Sequence, residues 1–321
     1  MNTACELLIG MDEAGLGPNL GPLVVTATRW EVPGKASQCD LLSLLSDCVS
    51  GQSTCKGTRL HIADSKAVYS TAAGLGSLEQ SALALLGTAG CNARSLGELL
   101  SWLQGARLET CGLAGEAWHP EFDLPLPLAA DADEVQQWVG RLRKSMESQH
   151  VRLTSLRSQV VFPRRFNQLI DELDNKSLLL STVTFELLGE VWNAADDRRA
   201  LVIGDKHGGR NRYDDLLCDL AGEAFIFRLE EGRQRSCYRI GNAELRFQVG
   251  GEEHFPVAAA SIISKYVREL TMEAFNRFWS SHLPDIRPTK GYPQDARRFR
   301  EQVEEQRLAL EIAEDDFWRS R

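Results

Sequence analysis

The sequence predicts an α/β layered domain, and three observations predict it. Leu7-Leu8-Ile9-Gly10 and Ala200-Leu201-Val202-Ile203-Gly204 are continuous apolar runs of strand length, the second suited to burial on both faces. Elsewhere apolar residues recur at three- and four-residue steps, as in Ile263, Val267, Leu270, Ala274 and Phe278, which is the spacing of a helix face. Strand-like and helix-like stretches alternate along the chain, as layered α/β architectures require.

In order, residues 7–10 make a strand, residues 12–22 a turn rich in Gly and Pro, and Leu23-Val24-Val25-Thr26-Ala27-Thr28 a second strand. Residues 36–56 alternate Ser, Leu and Cys and suggest a helix followed by a loop. From 75 to 160, Ala- and Leu-rich helical stretches flank a loop around His119-Pro120 and Pro125-Leu126-Pro127, and no motif stands out. Order returns at Val160-Val161-Phe162-Pro163, and a long helix pattern covers residues 166–193. The strand at 200–204 is followed by candidates at 224–228 and 245–249, then by an amphipathic helix over 257–280. The charged tail, 295–321, reads as a solvated helix packing through Phe299, Val303 and Leu310.

The 321 residues suit about two domains, or one domain with a large insertion. An apolar fraction of 43% and a charged fraction of 25% exclude a wholly disordered chain. No run of ~18 apolar residues exists to span a membrane. The first residues lack a basic stretch, and Glu6, Asp12 and Glu13 interrupt any signal-peptide core, so a soluble, cytoplasmic protein is expected. None of Cys5, Cys39, Cys48, Cys55, Cys91, Cys111, Cys218 and Cys237 forms a Cys-x-x-Cys pair, which favours reduced, structural thiols. With 36 Lys+Arg against 45 Asp+Glu the net charge is −9. That balance does not favour a DNA-coating protein, whose affinity rests on cations neutralising phosphates, but a nuclease must itself concentrate carboxylates.

The densest signal is Gly10-Met11-Asp12-Glu13-Ala14-Gly15-Leu16-Gly17-Pro18, where a strand delivers two carboxylates into a glycine turn. It suits either a polar turn between strands or a place where a phosphodiester backbone comes close. Pro18 and Pro22, with a strand following, argue against a dinucleotide-binding loop. Asp205 ends the second apolar strand, where an acid can equally cap the next helix. Glu252 and Glu253 precede the helix starting near Val257, where they can equally favour its dipole. Three acid sites at strand ends or helix starts are what a carboxylate cluster needs, and oxygen ligands suit Mg²⁺ or Mn²⁺. The six histidines show no metal-ligand spacing.

In sequence order these segments resemble the type 2 ribonucleases H, the HII/HIII class. The run from Asp12 to Pro22 is similar to that family's Asp-Glu-Ala-Gly-Arg-Gly-Pro signature with its second Gly-Pro, and Asp64-Ser65-Lys66 to its Asp-Ser-Lys motif. Val257-Ala258-Ala259-Ala260-Ser261-Ile262-Ile263-Ser264-Lys265 resembles its Ala-Ala-Ser-Ile-x-Ala-Lys helix, and Gly291-Tyr292-Pro293 its Gly-Tyr-Pro. The resemblance implies a ribonuclease H-like fold with a mixed five-stranded sheet flanked by helices. The catalytic domain would span 1–255, with 75–160 an insertion unmatched by the family, and 256–321 a helical extension packed on it. It implies Mg²⁺- or Mn²⁺-dependent cleavage of the RNA strand of RNA–DNA hybrids, or at ribonucleotides embedded in DNA, by a monomer. Asp12, Glu13 and Asp205 take three of the family's four metal-holding acid roles.

Two departures stand out. Counting back from Ser261 places the fourth acid on Gly251, whereas counting back from Pro256 places it on Glu252, with Glu253 the alternate. Leu16 stands where the family has Arg or Lys between the glycines, which leaves backbone groups of Gly15, Leu16 and Gly17 to meet substrate. By the same resemblance Lys66, and more weakly Lys265 and Lys290, would contact phosphate, and Tyr292 the sugar at the scissile junction. Leu16 and the displaced fourth acid also suit a degenerate relative that binds hybrid or DNA without cutting it.

Overall fold

The computed structural model describes residues 5–53, 58–70, 74–119 and 123–320, so Cys55, Pro120 and Arg321 lie outside the described residues. The first strand, β1 (Glu6–Ala14), runs past its apolar stretch and carries Asp12 and Glu13 within it rather than in a turn. Its ladder with β2 (Leu23–Val32) accounts for the length, the antiparallel register running from Glu6 opposite Val32 to Ala14 opposite Val24. Residues 36–56 break into a 3₁₀ turn, a short helix α1 (Leu41–Leu44) capped by Asp40, and β3 (Val49–Ser50). β3 pairs in parallel with β4 (Leu60–His61) as a separate two-stranded sheet, and α2 (Ser65–Val68) follows, capped by Asp64.

Residues 75–160 supply α3 (Gly76–Thr88), α4 (Leu96–Gln104), α5 (Ala132–Ser148) and most of β5 (Arg152–Val161). β5 pairs with β2 at the edge of the main sheet, so a stretch without motifs contributes to the central architecture. The long helix expected over 166–193 is two helices, α6 (Pro163–Leu173) and α7 (Lys176–Val191). Asp174 turns left-handed at φ 51°, and the Asn175 side chain accepts from the Leu178 amide to start the second helix. β6 (Ala200–Asp205), α8 (Asp214–Ala221), β7 (Ile226–Glu231), β8 (Arg235–Ile240) and β9 (Ala243–Gln248) come next. Three helices close the chain: α9 (Phe255–His282), α10 (Pro293–Ala309) and α11 (Glu314–Phe317).

The main sheet has the order β5-β2-β1-β6-β9-β8-β7. β1, β6 and β9 are parallel to their neighbours in that set, and the remaining pairs are antiparallel. The mixed sheet flanked by helices is the expected class, with seven strands in place of five. The β7–β8 hairpin adds the other two, and β8 (Arg-Ser-Cys-Tyr-Arg-Ile) is too polar to announce itself as a strand.

Alternation along β1 divides the core. Leu7, Ile9 and Met11 pack with α7 residues such as Leu180 and Leu187, whereas Leu8 faces the side of Val257 and Ala258 on α9. α9 is buried on both faces along most of its length, not on one stripe, because the sheet lies under it and α3 and α10 residues pack around it. Gly10 permits its approach, since a Cβ there would sit 2.2 Å from the Pro256 carbonyl carbon. The start of α9 is thereby seated against β1 beside Asp12. No described helix is long and apolar enough to cross a membrane.

Candidate active site

β1 and β6 are adjacent and parallel, with Met11 opposite Gly204. Asp12 and Asp205, the next residue on each strand, therefore emerge together at the C-terminal ends of neighbouring strands. Asp12 shares the parity of Leu8, and Asp205 that of Leu201 and Ile203, so both lie on the α9 side of the sheet. Glu13 follows directly on β1. Burial holds the Asp12 carboxyl well above the usual carboxylate range; the Glu13 and Asp205 charges push the same way, and a hydrogen bond from Ser261 opposes them. Burial and then the Asp205 charge push Glu13 up to about 7, with Lys66 acting in opposition. Asp205 Oδ1 is buried with no hydrogen-bond partner in the protein.

Like charges crowded in a poorly solvated place, one oxygen orphaned, form a costly arrangement that a cation relieves. The donor set is oxygen alone, which fits a hard divalent ion such as Mg²⁺ or Mn²⁺. As the side chains stand, no three or more His, Cys, Asp or Glu among the described residues are gathered closely enough to hold a metal ion.

Glu252 lies on a short 3₁₀ turn, Gly251–Glu253, and is half-buried. Its charge is not among those acting on Asp12 and Glu13. Glu253 is exposed and lines a separate cavity of about 360 Å³ with Asp40, Arg246 and His254. The residue packed on the acid strand is Gly251, where a Cβ would lie 3.1 Å from the Asp205 amide nitrogen.

Lys66 stands at the start of α2 with its side chain 89% exposed, 4.0 Å from the Asp64 carboxylate. α2 is pinned to α9 because Ser261 Oγ accepts from the Ser65 amide at 3.3 Å and lies 3.0 Å from Ser65 Oγ. Lys265 and Lys290 both pair with Glu269, at 2.6 and 2.5 Å, and Lys290 donates to Tyr69 Oη at 3.0 Å. Their charge is already matched in part.

The turn after β1 is built from behind. Gly15 has φ +91°, and a Cβ there would meet the Pro22 oxygen at 2.6 Å. Arg268 on α9 is fully enclosed and donates to the carbonyls of Pro22 (2.5 Å), Leu20 (3.1 Å) and Lys290 (3.2 Å). Arg319, 0% exposed, donates to Gly15 O (2.5 Å), Leu16 O (2.7 Å) and Gly21 O (3.3 Å), with its guanidinium over the Phe166 ring at 3.7 Å. Leu16 packs its side chain on the α7-side core, and Gly17 is exposed. The Asn19 amide donates to Gly291 O at 2.8 Å, which fixes Tyr292, a residue 57% exposed, next to the turn.

The structure thus places Asp12, Glu13 and Asp205 at neighbouring strand ends where their charges act on one another, with Ser261 and Lys66 beside them and the braced turn and Tyr292 adjoining. Glu252 is not among the charges acting on Asp12 and Glu13. Arg268 and Arg319 had no sequence signal: an arginine within a charged helical stretch reads as solvated.

No family model and no curated protein sequence matches the chain. It is similar to solved structures of ribonucleases HII and HIII. Ribonuclease HII of Archaeoglobus fulgidus, solved in a complex with PCNA, shares 16% identity over 98% of this chain and 94% of that one, with a TM-score of 0.40. Ribonuclease H2 of Pyrococcus horikoshii shares 14% over 97% and 92%, with a TM-score of 0.40. Bst ribonuclease HIII, solved with Mn²⁺, shares 14% over 99% and 67%, with a TM-score of 0.42. These likenesses concern the fold and assign no residue a role.

Proposed function

We propose that the protein is a metal-dependent endonuclease of the ribonuclease H type. It cleaves the RNA strand of RNA–DNA hybrids, or at ribonucleotides embedded in duplex DNA, and leaves a 5′-phosphate and a 3′-hydroxyl. The observation that supports this reading is the placement of Asp12, Glu13 and Asp205 at the ends of adjacent parallel strands, with an orphaned buried oxygen on Asp205 and a glycine turn alongside.

Asp12, Glu13 and Asp205 are the residues that would hold Mg²⁺ or Mn²⁺, with Glu252 the further acid to which the sequence points. When bound, such ions supply hydroxide from water and stabilise the leaving 3′-oxygen. The protein's own share is placement. Strands β1 and β6 fix the acids, and α9 carries Ser261 against Asp12. Lys66 projects into solvent where a phosphate can meet it, and Gly15, Leu16, Gly17 and Tyr292 face the sugar-phosphate backbone. The 2′-hydroxyl is the group that separates RNA from DNA at such a site.

A second reading, a relative that binds such duplexes without cutting, is favoured by Gly251 and by the position of Glu252. One experiment decides between them: incubation with a duplex containing a single ribonucleotide, a continuous hybrid and an all-DNA duplex, each with Mg²⁺ or Mn²⁺. Cleavage of the first two and not the third is expected. Tight binding without cleavage at either metal supports the second reading, and equal cutting of all-DNA duplex overturns the ribonuclease assignment.

A further inference from the structure

We propose that Arg319 is a positioning residue for the Gly15-Leu16-Gly17 turn, holding its amides outward so that they bind a backbone phosphate. It would supply from behind the positive charge that Leu16 does not supply in front. The proposal rests on the reading that this turn faces nucleic acid.

The guanidinium gathers three carbonyls that lie on two limbs of the turn, Gly15 and Leu16 on one and Gly21 on the other. A trans peptide unit points its C=O and its N–H in opposite directions. Drawing Gly15 O and Leu16 O inward therefore turns the Leu16 and Gly17 amides away from the arginine. Neither amide donates to a protein acceptor among the described residues, and a Cβ built on Gly17 meets nothing within 4 Å. Consecutive outward N–H groups form a concave anion site.

The charge behind them is not cancelled. Arg319 has no ion-pair partner among the described residues; burial first and then the Arg268 charge hold its pKa well below the usual arginine range, but a guanidinium keeps its proton in a protein. Its Nε is buried and without a hydrogen-bond partner. A cation held this way polarises the two peptide units in the direction that strengthens their N–H groups as donors. The rest of the segment is anchored independently. Asp316 pairs with Arg164, and Asn167 donates to Trp318 O at 2.8 Å and accepts from the Ser320 amide at 2.8 Å. The Arg319 backbone also bonds Asn19 in the turn, but the residues flanking it are held by contacts that do not involve the turn.

The test uses the full chain with Arg319→Met, Arg319→Lys and Arg319→Met combined with Leu16→Arg, each checked for folding by circular dichroism. Affinity for a duplex with one ribonucleotide is measured in an Asp205→Asn background, so that cleavage does not enter. Arg319→Met should weaken binding about tenfold and Arg319→Lys less, while adding Leu16→Arg should restore most of the loss. A residue that only fills space would not be rescued by a cation introduced at position 16. Amide NMR shifts of Leu16 and Gly17 on titration with inorganic phosphate provide a readout independent of any nucleic-acid activity. They should move in the parent chain and not in Arg319→Met, even if no duplex is cleaved. Unchanged affinity or unchanged phosphate shifts in a folded Arg319→Met would overturn the proposal. Unfolding of both single variants would overturn it too, since Arg319 would then be a core residue of the fold.

Discussion

Opposite charges are enclosed within a few residues of one another, and they are held by opposite means. Asp12, Glu13 and Asp205 sit at the strand ends with their charges facing each other, one oxygen unpartnered, and only Lys66 nearby in compensation. Arg268 and Arg319, just beyond, are each wrapped by three backbone carbonyls. A buried charge that the fold has satisfied serves the architecture; one that it has left unsatisfied is held for something not in the chain. The acids and Arg268 are the two halves of that contrast, and Arg319, with its Nε unpartnered, stands between them.

The largest expected effect tests the unsatisfied half. Asp205→Asn should lower single-turnover cleavage by roughly three orders of magnitude with the fold intact by circular dichroism. Full activity in that variant would break the contrast, because the orphaned oxygen would then have no use. Next comes the satisfied half. Arg268→Met strands three carbonyls and should cost about 3 kcal/mol in urea denaturation; a neutral result would mean the carbonyls find water instead. A third substitution asks whether the unsatisfied set has another member. Glu252→Gln should reduce cleavage about tenfold, whereas Glu253→Gln, on an exposed side chain, should stay within ~0.5 kcal/mol of the parent in stability and change activity little. The reverse ranking would transfer the role to Glu253.

The smallest effect is a stability change with pH. A free glutamate ionises near 4.5, and Glu13 in the fold near 7. The folded chain keeps its proton longer, so between those values stability falls as pH rises, and above them the penalty is constant. Glu13→Gln removes it. Its melting temperature should exceed that of the parent by roughly 4 °C at pH 8 and by much less at pH 5, measured without divalent metal. A constant difference across pH would show that Glu13 is not strained by its neighbours.

Much of this was legible in the sequence, for physical reasons. Apolar runs mark β1 and β6 because strands buried on both faces need them, and the acids follow those runs directly. Elements that owe their form to partners were hidden. β8 is polar because one face meets solvent, and β5 lies in a stretch whose neighbours are helical. The break between α6 and α7 hangs on one left-handed residue, Asp174, followed by an Asn cap. Of the candidate site, what was readable is that Asp12, Glu13 and Asp205 follow the two apolar strands and that a glycine turn comes next. That Gly251 packs on Asp205, and that Arg319 occupies the turn, depend on contacts across more than forty and about three hundred residues. No local pattern carries such information.

The brace on the turn also has a history in time. Asn19 and Arg319 bond to each other from positions 300 residues apart. At about 5–20 residues per second, the ribosome makes residue 319 some 15–60 seconds after residue 19. Until then the carbonyls of Gly15, Leu16 and Gly21 have no guanidinium to gather them, while β1 and β2 can already pair. A nascent chain would thus acquire its sheet long before this turn is braced, and the turn would take its final form only once synthesis had passed the last helix.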